Sequence, residues 1–152
     1  MLEDSSRYSD LVKALYSAHA DVVVLYYKVW GCHWNVSGIN FQQLHGLFKE
    51  IYEGLAAAID RNAENIGALG YKAPSKLAML VQMTEIQEID GTEDALTMVR
   101  LLAEDVLLAI ANLKKVNSEA VKVNQQAIIN MVGDLSEEYG GYLYKLRRTL
   151  GE

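Results

Sequence analysis

At 152 residues, with 51% apolar and 22% charged residues, the chain has the size and composition of one globular domain that buries its own core, which argues against disorder. No unbroken apolar run reaches the roughly 18 to 20 residues that cross a bilayer, and a net charge of −6, from fourteen basic against twenty acidic residues, repels phosphate backbones. The lone cysteine, Cys32, and a polar, acidic start without the regions of a secretory signal give the expectation of a cytoplasmic protein without disulfides or membrane contact.

Pro74 is the only proline and no strand-like alternation appears, so the chain is predicted to be all-helical. The first helix is expected to begin after Ser5 or Ser6 and to run toward Gly31, with Leu11, Leu15, Ala18, Val22, Leu25 and Val29 facing the core. Asn40 is the expected N-cap of the second, whose stripe is Phe41, Leu44, Phe48, Ile51, Leu55, Ile59, Ile66 and Leu69, and Gly70 suits the position after its end. PSKLAMLVQM, after Pro74, reads as a short crossing helix.

The third long helix follows Thr92, with Glu93 and Asp94 expected in its first turn and Leu96, Val99, Ala103, Val106, Ile110 and Leu113 buried. The fourth carries Ile128, Met131, Leu135, Tyr139, Tyr142, Leu146 and Leu150. Gly133, Gly140 and Gly141 interrupt it at about 1 kcal/mol each relative to alanine, so either a close neighbour or a break is expected there. Short links make the first pair and the last pair of long helices antiparallel, while the segment from 70 to 92 is long enough to return along the bundle. The expected fold is therefore a ferritin-like four-helix bundle, one domain over residues 1–152, with one long crossover containing a short helix.

Two of the three histidines, His33 and His45, flank the first turn. Beyond His45 the second helix carries Lys49, Tyr52, Glu53, Ala56, Ala57, Asp60, Ala63 and Glu64 on a face beside the core stripe, and its many alanines suit the approach of another helix. Asp60 and Glu64 are neighbours at i, i+4 and repel unless a cation lies between them. Imidazole with carboxylate suits iron and related divalent metals. Yet fifteen residues of helix separate His45 from Asp60, about 22 Å at 1.5 Å per residue, so one chain cannot gather both. A second copy, antiparallel about a twofold axis near Tyr52 and Glu53, would bring His45 of one chain to Asp60 and Glu64 of the other, and His33 could join His45.

HWNV at His33–Val36, LH at Leu44–His45, and D-x-x-x-E from Asp60 to Glu64, fifteen residues beyond the second histidine, resemble the pattern of the Dps mini-ferritins, the DNA-protection-during-starvation proteins. The likeness extends through NFQQLHGLFKEIYEGL and IGALG and more loosely over nearly the whole chain. It implies a twelve-subunit hollow shell, built from twofold dimers, that oxidises Fe(II) to Fe(III), preferentially with hydrogen peroxide, and stores ferric oxide. In such a shell His33 and His45 come from one subunit and Asp60 and Glu64 from its twofold partner, together forming the ferroxidase centre. Trp34 matches an aromatic that intercepts radicals in relatives; packing at the helix turn is the other reading.

The chain departs from the family where NQQAIIN opens the last helix, a segment that often lines an acidic iron pore, and where Tyr144 stands for a tryptophan. The lysine-rich tail of DNA-binding members is missing, so DNA binding is expected to be weak or absent; the alternative is a DNA-compacting shell with little ferroxidase activity. Lys145, Arg147 and Arg148 form the best basic patch, and the helix dipole accounts for cations there. Tyr26, Tyr27, Met79 and Met83 read as core filling, Cys32 as a small buried side chain, and His19, too far along the helix from His33, has no assigned role.

Overall fold

A 3-10 turn at Ser5–Tyr8 leads into α1, Ser9–Asn35, in a computed structural model that describes residues 5–152. Residues 1–4, part of the polar, acidic start read as lacking a secretory signal, lie outside the described residues. The expected end of α1 near Gly31 is too early. Glycine costs a helix about 1 kcal/mol, but the next turn buries Cys32 and His33, and the Val36 N–H then closes on the Cys32 carbonyl at 2.9 Å. His33 is thereby fixed on a helix rather than in a loop.

After a turn through Gly38 (φ +109°) comes α2, Phe41–Ala68. Asn40 occupies its N-cap position without a side-chain capping bond. Gly70 ends it as expected, at φ +87°, with its N–H on the Gly67 carbonyl and the Tyr71 N–H on that of Ile66. These two bonds satisfy carbonyls that the last turn would leave bare. The crossover holds α3, Leu77–Met83, then α4, Ala95–Lys122, and α5, Gln126–Thr149. No described helix is long and apolar enough to cross a membrane.

Paired residues give the helix directions. Tyr26 meets Tyr52 and His33 meets His45, so α1 and α2 run antiparallel. Asp21 meets Asn112 and Lys28 meets Asp105, which sets α4 antiparallel to α1 as well. Helices α2 and α4 are therefore parallel, as the crossover length predicts. Arg61 with Asp134, and Glu50 with Lys145, place α5 antiparallel to α2 and close the bundle. Phe48, Leu15, Leu25, Ile51, Leu55, Met98, Leu102, Leu113 and Ile128 fill its interior.

Three expectations are corrected. Asp94 is the N-cap of α4, accepting the Thr97 N–H at 2.8 Å, and not a residue of its first turn. Leu96 is 52% exposed, because it lies six residues before the buried Leu102, about 120° round the helix. Gly133, Gly140 and Gly141 neither break α5 nor admit a neighbour, since a Cβ on any of them would meet nothing within 4 Å. They lie away from the buried stripe of Ile128, Met131, Leu135, Tyr139 and Leu146.

The close approach is instead at Gly54 of α2. A Cβ there would overlap the Tyr142 hydroxyl, which is held by its bond to Glu138. Gly54→Ala is expected to destabilise by about 1 to 2 kcal/mol, as overpacking of about 1 to 3 kcal/mol outweighs the better helix propensity. Adding Tyr142→Phe should restore most of the loss in denaturant titrations. No recovery in the double variant would show that the Tyr142 hydroxyl is not the obstacle.

Candidate metal centre

Continuation of α1 to Asn35 and the immediate start of α2 put His33 and His45 face to face. Their rings are 3.6 Å apart between centroids and within 13° of parallel. His33 Nδ1 donates to the His45 carbonyl at 2.6 Å, and His45 Nδ1 donates to the His33 carbonyl at 2.7 Å. A carbonyl oxygen can only accept, so both Nδ1 atoms carry hydrogen. In the neutral imidazoles the lone pair is then on Nε2, the state that a metal ion requires of a histidine whose other nitrogen is held.

Phe41 stacks on His45 at 4.9 Å and Tyr52 meets the edge of His33 at 5.2 Å, which confines the two rings further. His33 is buried and His45 half-buried. The chain thus brings the two predicted nitrogen donors together and presets their tautomer.

It does not bring the predicted acids to them. Asp60 and Glu64 are exposed on α2, fifteen and nineteen residues beyond His45 on one continuous helix. Among the described residues no group of three or more histidine, cysteine, aspartate or glutamate side chains could hold a metal ion within one chain. Asp60 and Glu64 therefore remain carboxylates with an open side. Cys32, next to His33, is buried, and burial pushes its thiol up to about 12, so it offers no thiolate at neutral pH.

Other side chains depart from their sequence reading. Trp34 is not packed in the core: it is 49% exposed, resting on Trp30 and Tyr27. Tyr27 and Met79 are also exposed, whereas Tyr26 and Met83 are partly buried. Arg147 and Arg148 occupy the last turn of α5, in accord with the dipole reading, while Lys145 is paired with Glu50.

Two buried polar links between α1 and α4 escaped the sequence reading. Lys28 Nζ lies 2.6 Å from Asp105, both largely shielded from solvent. Asp21 accepts from Thr84 of the crossover at 2.7 Å and from Asn112 of α4 at 2.5 Å; burial raises its carboxyl, and those two bonds oppose the rise. Charged residues on an otherwise apolar helix face were the available signal.

A family model for the ferritin-like domain matches residues 12–152. A DNA protection during starvation protein of Brevibacillus brevis is 34% identical over 131 residues, covering 86% of this chain and 88% of that protein. DNA protection during starvation protein 2 of Bacillus anthracis is 32% identical over 125 residues, covering 82% and 83%. The crystal structure of a Dps protein from Bacillus brevis has a TM-score of 0.92 at 28% identity, over 97% of this chain and 99% of that one.

Proposed function

The chain belongs to the Dps family of ferritin-like proteins, and from that premise we propose that it is a ferroxidase that takes Fe(II) as substrate, oxidises it with hydrogen peroxide and stores the ferric product inside a hollow homo-oligomer. Iron storage and protection are the general business of the family. The single observation that carries the finer reading is the reciprocal pair of hydrogen bonds between His33 and His45, which leaves two Nε2 donors side by side.

In this reading the centre is completed across a twofold seam, where Asp60 and Glu64 of one chain face His33 and His45 of the next. Imidazoles position the cation, and ionised carboxylates favour the higher charge of the ferric product. Two ferrous ions give one electron each to one peroxide, which takes two protons and leaves as two waters. The whole chain acts as one ferritin-like domain, and the assembly is a cytoplasmic shell of twelve subunits built from twofold dimers.

Exposed apolar side chains support an oligomer. Tyr27, Trp34, Leu77 and Val81 line a cavity of about 480 Å³ between α1, α3 and the segment that follows it, and such a patch calls for cover. DNA contact is disfavoured because Lys145 already serves Glu50 and the net charge is −6. Light scattering on a sizing column is expected to give a large closed oligomer, and Fe(II) with peroxide should give the absorbance of ferric oxide within it. A monomer, or iron that stays ferrous, would refute the proposal.

A further inference from the structure

Lys49 puts a cation on the α2 face that carries Asp60 and Glu64. It stands one helical turn beyond His45, about 6 Å along the axis at 1.5 Å per residue, and is exposed, as are Glu53, Ala56, Asp60 and Glu64. Within the chain it meets Glu53 at 3.9 Å, with the two side chains 57% and 60% exposed. That pair is loose: the lysine precedes the glutamate, the less favourable order on a helix, and solvent screens both charges.

The proposed seam would give Lys49 a second set of neighbours. An axis midway between Tyr52 and Glu53 sets His45 opposite Asp60 of the partner subunit and, by the same count, Lys49 opposite the partner's Ala56. A methyl group there leaves room for the four-carbon stem of the lysine. Helical side chains lean toward the N-terminus, which for Lys49 is toward His45, so its ammonium would reach the carboxylate of the partner's Asp60. Without iron or Lys49, Asp60 and Glu64 would be packed against another chain with no cation between them.

We infer that Lys49 is the resident counter-ion of the proposed centre: in the iron-free seam its ammonium neutralises Asp60 of the partner subunit, and ferrous iron displaces it toward Glu53 of its own helix. The inference rests on the proposed function and deepens it, because it makes iron uptake a competition. The ion pair holds the seam when no metal is present. A ferrous ion wins the site by carrying twice the charge and by taking imidazole nitrogens and carboxylates at once. Uptake therefore begins only at ferrous concentrations that outcompete the lysine.

Ferrous binding to the assembled protein is measured by equilibrium dialysis without oxygen, beside the thermal stability of the assembly in chelator. Lys49→Ala is expected to bind ferrous iron about two- to fivefold more tightly, the change that loss of a competing ion pair of surface strength brings. Its assembly should melt earlier than wild type in chelator and with wild type when iron is bound. Lys49→Arg, which keeps the charge, should restore the assembly in chelator. On an Asp60→Asn background, Lys49→Ala should lose its effect on the iron-free assembly. Wild-type iron affinity in Lys49→Ala, or full additivity with Asp60→Asn, overturns the counter-ion alone. Ferrous binding that is unchanged in Asp60→Asn with Glu64→Gln overturns the centre itself, and the counter-ion with it.

Discussion

Shells assembled from a mixture of two inactive chains, one carrying His33→Ala and His45→Ala and the other Asp60→Asn and Glu64→Gln, are expected to oxidise ferrous iron. Each chain alone should assemble and oxidise iron no faster than a blank. The acids are exposed and their amide replacements nearly isosteric, so that variant loses charge without losing packing. The histidine variant leaves two backbone carbonyls without their side-chain donors, at about 1 to 3 kcal/mol for each that stays dry. Its thermal unfolding therefore has to be recorded beside its activity.

The recovery follows from symmetry. In the proposed twofold dimer an unlike pair of chains would have two seams: one joining the altered histidines to the altered acids, and the other wholly native. Random pairing makes about half of the dimers unlike, so about a quarter of the wild-type centres should return. No return in shells that demonstrably contain both chains would show that the four groups do not act across a seam. Rapid oxidation by the acid variant alone would show that Asp60 and Glu64 are not needed.

Replacing Lys28 by alanine is expected to cost about 3 to 5 kcal/mol, the usual result of stranding one member of a buried ion pair. Lys28 and Asp105 are 2.6 Å apart, with side chains 4% and 14% exposed, so solvent replaces little of the lost attraction. Burial already raises the Asp105 carboxyl above its ordinary range, and the hydrogen bond and charge of Lys28 hold that rise down. Removing Lys28 lets it rise further. A carboxyl with a folded pKa above its unfolded one binds its proton more tightly when folded, so stability is highest below that range and falls as pH rises through it.

The Lys28→Ala loss should accordingly be smaller in acidic than in alkaline buffer. Changing both members, Lys28→Met with Asp105→Leu, should recover the loss or exceed it, because neither charge then has to leave water. Denaturant titrations at a fixed chain concentration would measure both effects. Equal losses in the single and double variants would mean that Lys28 contributes by packing its stem, not by pairing its charge.

Much of this molecule is legible in one dimension. A 3.6-residue period, a glycine suited to the end of α2 and one long interhelical segment are local features, and they specify the helices, their order and the crossover. The separation of His45 from Asp60 also follows from sequence, because a continuous helix has a fixed rise per residue. Rotation and neighbourhood are different in kind. The exposure of Leu96, Trp34 and Tyr27, the tight passage at Gly54 in place of Gly133, Gly140 and Gly141, and the meeting of Lys28 with Asp105 depend on which helix faces which. So does the mutual hydrogen bonding of His33 and His45: the sequence puts both beside one turn, but only packing of α1 on α2 brings each ring to the other's carbonyl.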